Sequence, residues 1–344
     1  MKCRTIGIDL AKSVFQVCGV NNHNKPLFNE KLSRRTFLQF MAKQQTELVV
    51  MEACYSSHHW ARQLTAQGHN VKLIPAQHVK PFVRGNKNDA NDALAIVEAS
   101  QRPYIRFVPI KTIHQQEIQC LHRIRERLIK QKTALSNQTR GLLSDFGIVF
   151  MPGKRCFLFG MKRLVSNDNH SSLVREMMQS ALDEYQAMLA RIEHIEDKLR
   201  QYVQSSTSGE ILMSIPGIGF INASAILSSI DKGQSFHNPR EFAVWLGLTP
   251  QQYASGNSQR MGGITKRGDR YLRTQLVHGA RTVVCHAAKK NDDLNRWATR
   301  LRGRKSFNQT VVAMAHRLAR LIWILLQRQV TYQQQFNHQG ANHE

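Results

Sequence analysis

Thr5-Ile6-Gly7-Ile8-Asp9 ends an apolar, β-branched run on a carboxylate, and Leu48-Val49-Val50-Met51-Glu52 repeats the pattern further along the chain. Alternation in such a strand buries the apolar side chains while the acid emerges at the carboxyl end. One acid in that position is an ordinary strand-end turn residue. Two in one small sheet can converge at neighbouring strand ends. A further pair lies three apart in Asn88-Asp89-Ala90-Asn91-Asp92-Ala93-Leu94-Ala95, which puts both carboxylates on one helical face near the positive end of the helix dipole. Taken alone, Asp89 and Asp92 read first as helix-start capping.

The surrounding pattern changes that reading. Residues 14–20 and 27–32 are short strand-like runs, separated by the polar turn 21–25, and with 5–9 they predict a three-strand meander. Ser33 caps a helix through Phe37 and Met41; the buried strand 48–52, a helix around 60–66 and the strand 71–74 follow. The order is βββαβαβα, with acids on the first strand, the fourth strand and the last helix, which is the ribonuclease H arrangement. Hard oxygen ligands of this kind suit Mg²⁺ or Mn²⁺, and a two-metal site supports phosphoryl transfer. Lys87, just before the acids, can reach a phosphate or simply stand in solvent.

These acids are placed against the run of the composition. The 344 residues include 48 Lys plus Arg against 24 Asp plus Glu, a formal charge of +24. Such a chain seeks a polyanion, because each neutralised phosphate releases condensed counterions, and nucleic acid is the leading partner. The length allows more than one domain and a true core. Cysteines 3, 18, 54, 120, 156 and 285 show no metal-ligand spacing, so reduced, mostly buried thiols and a cytosolic setting are expected. No signal peptide is expected, since Asp9 and Lys12 break the first apolar run. No membrane span is expected either, and 318–326 reads as a core helix.

From Pro109 to Val203 long polar segments carry apolar residues at helical spacing. Leu121, Ile124, Leu128, Leu135 and Leu142 mark one long helix; Leu182, Tyr185, Leu189, Ile192, Ile195 and Leu199 mark a second with a coiled-coil stripe. Residues 151–169, rich in Gly, Lys and Asn, are the expected connection. The expected organisation is a first domain over 1–110, a helical region over 111–205, a second, mainly helical domain over 206–331, and a flexible tail over 332–344.

Three features of the second domain face phosphates. Ser214-Ile215-Pro216-Gly217-Ile218-Gly219 resembles a helix-hairpin-helix, whose glycines let backbone approach a phosphate; a plain helix connector is the alternative. Trp245 to Ser258 leaves an apolar helix for a polar loop with Ser255 beside Gly256, and Lys266, Arg267, Arg270 and Arg273 follow. A hydroxyl held among cations is where a scissile phosphate can be attacked. Arg302, Arg304 and Lys305, with Arg296 and Arg300, add a patch near Trp297 and Phe307 that suits backbone positioning or a solvated face.

Six motifs in order, Thr5-Ile-Gly-Ile-Asp9, Met51-Glu52-Ala53, Asn88-Asp89-Ala-Asn-Asp92-Ala93, Ile215-Pro-Gly-Ile-Gly219, Gly247-Leu-Thr-Pro250 and Thr265-Lys-Arg-Gly-Asp-Arg-Tyr-Leu-Arg273, make the chain resemble the Piv-like insertion-sequence transposases, the bridge-RNA recombinases. It looks like the subgroup with a Ser-Lys-Arg-Gly-Asp signature, here with Thr265 first. The resemblance implies a RuvC-like domain whose Asp9, Glu52, Asp89 and Asp92 bind Mg²⁺ or Mn²⁺. It also implies a C-terminal transposase domain with a nucleophilic serine. The family serine precedes a glycine after the Gly-Leu-x-Pro run, which selects Ser255. Asn257 and Ser258 depart from the subgroup's usual glycine and lysine and leave Ser258 as a lesser candidate. Further implied are a covalent phosphoserine, donor and target DNA, a noncoding guide RNA, a homo-oligomer (dimer or tetramer) whose protomers each supply half a site, and a nucleoid-associated setting in a bacterial cytoplasm. A junction nuclease using water and a noncatalytic nucleic-acid-binding protein are the competing readings.

Overall fold

The computed structural model describes residues 3–83, 88–256 and 258–333. The chain divides into two compact units, Met1–Ile113 and His114–Glu344.

In the first unit β1 (Thr5–Leu10), β2 (Val14–Val20) and β3 (Pro26–Ser33) form the expected meander, followed by α1 (Arg34–Ala42), β4 (Leu48–Ala53), α2 (Ser57–Ala66), β5 (Val71–Pro75), the single turn α3 (Ala76–Val79) and α4 (Asp89–Ser100). The sheet order is β3-β2-β1-β4-β5. β1, β2 and β3 pair antiparallel, and β1, β4 and β5 pair parallel. This mixed sheet is consistent with a RuvC-like domain of the ribonuclease H type. Ser33 caps α1 by accepting from the Thr36 N–H, and Asn88 caps α4 through Asn91, each meeting one of the donors a helix start leaves open.

One sheet face buries Ile6, Ile8, Phe15, Val17 and Met51 against Phe37, Trp60 and Leu64. Phe15, Phe37 and Trp60 meet edge to face at 4.8–5.3 Å, a geometry that aligns ring edges with ring faces. The other face takes α4. Val50 and Ile74 pack with Ala95, Ile96 and Ala99, and Cys18 and Val20 with Ala93 and Val97.

The second unit opens with two long helices, α5 (Ile113–Ser144) and α7 (Ser172–Gln204), each about 48 Å long at 1.5 Å per residue. Ile118 and Leu128 of α5 pack with Ile192, Ile195 and Leu199 of α7, and Arg125 pairs with Glu196 at 2.7 Å beside them. Of the residues whose spacing marked α5, Ile124 and Leu142 are exposed, and Leu143 takes the buried place at the distal end. The connection between the helices falls where it was expected and is itself helical, an element that the sequence reading did not name. Phe157, Met161 and Leu164 of α6 (Lys154–Val165) recur at helical spacing and pack on Leu143, Met178 and Leu182. The glycines and lysines of this segment hid that period.

Beyond lie α8 (Thr207–Met213), α9 (Phe220–Ile230), α10 (Pro239–Trp245), a hairpin of β6 (Pro250–Ser255) and β7 (Ser258–Ile264), then α11 (Arg270–His286), α12 (Asp293–Arg302) and α13 (Phe307–Arg328). The axis of this core is α13, whose Met314, Ala315, Leu318, Ala319, Ile322 and Leu325 are fully buried. By length and composition α13 could cross a membrane, contrary to the sequence expectation; half of that window is buried in the core. The capping box of Ser306 and Gln309 fixes its start. The expectation of mostly buried thiols is also corrected: Cys3 and Cys18 are buried, while Cys120, Cys156 and Cys285 are exposed. Of the expected tail, Tyr332 packs into the core, and 334–344 lie outside the described residues.

Candidate active site and nucleic-acid interface

Strands β1 and β4 are in register through Ile8 opposite Met51. Asp9 and Glu52 each stand one residue further, side by side at the carboxyl ends. Ile8 and Met51 are buried on the Trp60 face, so alternation sends both acids to the α4 face. Gly7 decides how near α4 can come. A Cβ at that position would stand 2.5 Å from the Ala93 carbonyl oxygen and from Val97 Cγ2. The missing side chain lets the first turns of α4 lie on β1, which brings Asp92 into the field of the two strand acids.

The consequence is electrostatic. Burial, then Asp9, then Asp92 push the Glu52 carboxyl above its ordinary range, because like charges in a half-buried site disfavour a further negative charge. Asp89 is placed differently: exposed on the first turn of α4, it faces Lys31 of β3 at 3.9 Å. The structure thus brings Asp9, Glu52 and Asp92 together and turns Asp89 toward a lysine. Among the described residues no three acids, histidines or cysteines close on a point tightly enough to hold an ion. The residue types still fit a hard divalent cation, since all four acids are carboxylates and a cation beside Glu52 would relieve the repulsion that raises it.

Sequence reading missed the polar chain that fixes α4. Gln16, opposite Asp9 on β2, donates from Nε2 to Asn29 Oδ1 at 2.6 Å. Asn29 donates from Nδ2 to the Ala90 carbonyl at 3.2 Å. The available signal was Gln16, a polar residue inside an apolar run. Lys87 lies outside the described residues.

Ser255 sits at the tip of an exposed β-ribbon, where a polar loop was expected. Ser255 and Ser258 form the closing pair, and Gly256 takes φ +52°. Two residues of the Gly-Asn type between runs are a hairpin signal, obscured here because every β6 residue is exposed and no alternation shows. Asn257 lies outside the described residues. Both serines are exposed, and among the described residues neither hydroxyl has a hydrogen-bond partner.

The root of the ribbon is where two of the sequence motifs interlock. Gly247 and Gly268 have φ of +69° and +90°, and Cβ atoms there would meet the Arg267 and Trp245 carbonyl oxygens at 2.0 and 1.8 Å. Thr265 N–H donates to the Thr249 carbonyl at 2.8 Å and Lys266 N–H to that of Gly247 at 3.1 Å. Arg273 donates to the carbonyls of Leu246 at 2.9 Å and Arg267 at 3.3 Å, so its guanidinium braces the ribbon. Lys266, Arg267 and Arg270 are exposed, and Asp269 caps α11 through the Leu272 N–H.

The other expected contacts divide similarly. Gly217, φ +83°, backs onto α11, where an added Cβ would stand 2.6 Å from the Gly279 carbonyl oxygen; its role in the structure is close packing. Gly219 is exposed at the N-cap of α9, with open space where a Cβ would lie. Arg302, Arg304 and Lys305 are exposed at the end of α12, and Arg302 and Arg281 cover Phe307 at 5.2 and 5.1 Å.

Two family models match the chain: a DEDD-type IS110 transposase model over residues 6–148, and the model described as transposase IS116/IS110/IS902 family over 209–295. A probable family 20 transposase of Pseudomonas aeruginosa is 42% identical over 96% of this chain and 99% of its own length. The transposase for insertion sequence element IS1111A of Coxiella burnetii is 38% identical over 96% of this chain and 91% of its own. The transposase for insertion sequence element IS1328 of Yersinia enterocolitica is 34% identical, covering 93% and 96%. With its carboxylates on a ribonuclease H-type sheet and matches running nearly end to end, the chain belongs to the IS116/IS110/IS902 family of insertion-sequence transposases.

Proposed function

We propose that this transposase exchanges DNA strands through a covalent serine intermediate, with Asp9, Glu52, Asp89 and Asp92 holding Mg²⁺ or Mn²⁺ and Ser255 as the nucleophile. The observation that carries the reading is the raised Glu52 carboxyl between Asp9 and Asp92, a concentration of negative charge in a chain of net charge +24. Bound cations would supply charge neutralisation at a phosphate and would favour an ionised oxygen nucleophile.

The residues divide the remaining work. Ser255 Oγ forms a bond to phosphorus as one sugar–phosphate ester bond breaks. The serine proton passes to a carboxylate of the cluster, which hands a proton on to the departing sugar oxygen. A sugar hydroxyl of the exchanged strand then attacks the phosphoserine and releases the serine, so the number of phosphodiester bonds is conserved. Lys266, Arg267 and Arg270 hold the strand's phosphates near the ribbon, and Gly219, Arg302, Arg304 and Lys305 position flanking backbone. Lys87 is assigned the same role from the sequence alone.

The proposed assembly is a homo-oligomer, dimer or tetramer, in which the serine of one protomer serves the acids of another. Support comes from the distal end of the helical pair, where Leu142, Phe146, Val149, Phe159 and Leu173 are exposed; surface apolar groups at this density mark association sites. A noncoding RNA that chooses donor and target by pairing completes the reading.

Recombination between donor and target plasmids in cells tests it. Asp9→Asn, Glu52→Gln and Ser255→Ala each should reduce product by about 10³-fold or more, as loss of a catalytic group does. Undiminished product from Ser255→Ala would remove the serine and leave a nuclease that uses water.

A further inference from the structure

Between the root of the ribbon and α13 runs an open groove of about 1240 Å³. Its floor is α13, where Val312, Ala313, Leu321 and Ile324 lie along one half-buried face. Leu248, Pro250 and Met261 form the facing wall. The volume exceeds that of ordinary small-molecule pockets, and the open shape suits a segment of chain.

The charged groups in this groove are of one sign. Lys266, His316, Arg317 and Arg320 line it, together with Asn308 and Gln309, and no aspartate or glutamate is among the lining residues. Arg317 lies over the Trp297 ring at 4.9 Å, held flat as guanidinium groups are on aromatic faces. Arg320 Nε is enclosed with no partner among the described residues, and an enclosed guanidinium nitrogen calls for an acceptor. Burial and then Arg320 depress the proton affinity of His316; that of Arg317 is lowered by burial and, to a lesser extent, by Arg300 and Arg320, against the opposing pull of Tyr332 and Asp293. The carboxylate among those influences, Asp293, is itself paired with Arg296.

We infer that this groove binds an unpaired nucleotide strand, with bases against the apolar floor and wall and phosphates on Lys266, Arg317 and Arg320. The inference rests on the nucleic-acid reading of the transposase and deepens it. A duplex presents only phosphates to such a surface and keeps its bases stacked away from apolar walls; a single strand can offer both chemistries at once. A second copy of this basic chain would bring further positive charge to an already unneutralised cluster. The groove also leads to the ribbon: Met261 is three residues along β7 from Ser258, about 10 Å, so a strand seated there is delivered toward the serine tip.

The test uses the full chain and fluorescein-labelled oligonucleotides of about 12 nucleotides, as oligo-dT, oligo-U and a mixed-sequence duplex, in anisotropy titrations. Arg317→Gln with Arg320→Gln should weaken the single strands by about tenfold or more and the duplex by less than about threefold. Ala313→Trp, which fills the floor and keeps every charge, should give the same selective loss. Tighter binding of oligo-U than oligo-dT identifies the natural occupant as RNA, and the reverse as DNA; both outcomes support the groove. Equal losses for strand and duplex, or no loss, overturn it. Ultraviolet crosslinking of a 4-thiouridine or 4-thiothymidine oligomer to the unaltered protein decides the matter should a variant fold poorly. Adducts on peptides 297 or 308–324 support the groove, and adducts confined elsewhere overturn it. Recombination by the unaltered protein is scored in parallel, so that absent recombination with groove-dependent binding counts against the transposition mechanism alone.

Discussion

Glu52 carries the conflict between stability and chemistry at the scale of single residues. Its folded carboxyl is raised by burial, Asp9 and Asp92, so its contribution to stability is present at low pH and lost as pH rises through the raised value. Glu52→Gln removes the repulsion, and at neutral pH without divalent ions the variant should melt about 2 °C higher than the parent. Adding Mg²⁺ should raise the melting temperature of the parent and close that gap. A lower melting temperature for Glu52→Gln in the absence of metal would show that the carboxylate is not under like-charge strain. Asp9, Glu52 and Asp92 were legible in the sequence because strand ends and helix starts have local signatures. Gly7 was legible only as part of a motif. Its physical role, admitting α4 to within a Cβ of β1, depends on two segments far apart in the chain. The links from Gln16 to Asn29 to Ala90 were hidden for the same reason.

Elements with a strong period were read correctly, and those whose period is masked were not. The meander, β4, β5, α4 and the two long helices follow from alternation or helical spacing. The ribbon of β6 and β7 is exposed on both faces, so it carries no alternation, and its sequence reads as a polar loop. Its position depends on the interlock at Gly247 and Gly268. Gly268→Ala places a side chain at φ +90° and within 1.8 Å of the Trp245 carbonyl oxygen. It should cost about 2 kcal/mol or more of stability, measured by urea denaturation, and reduce recombination while leaving the fold of the first unit unchanged by circular dichroism. A variant as stable as the parent would mean that the two motifs do not brace each other.

At the scale of the whole molecule, among the described residues each unit carries a buried neutral histidine, His58 in the first and His122 in the second. His58 accepts at Nδ1 from the Lys111 N–H at 3.2 Å. His122 lies between Tyr271 OH at 2.9 Å and Ser224 Oγ at 3.0 Å, joining α5, α9 and α11. Burial, with nearby Lys111 and Arg62 for His58 and Arg125 for His122, lowers both from 6.5 to about 4. The unfolded chain takes up these protons near 6.5 and the folded chain only near 4. Stability is therefore complete above the upper value, falls as pH drops through that window, and levels off below it. Thermal melts across the window should show the fall, and His122→Gln should make it shallower; an unchanged profile would place the acid sensitivity elsewhere.

The most direct measurement at this scale tests for the proposed covalent step. The full chain is incubated with Mg²⁺, RNA transcribed from its insertion element and end-labelled DNA carrying the element junction, then denatured and run on a gel. The expected result is labelled DNA migrating with the protein, absent in Ser255→Ala and in Glu52→Gln, with the adduct mapping to the peptide that contains Ser255. Cleaved DNA with free ends and no adduct, or an adduct that persists in Ser255→Ala, would contradict the serine mechanism.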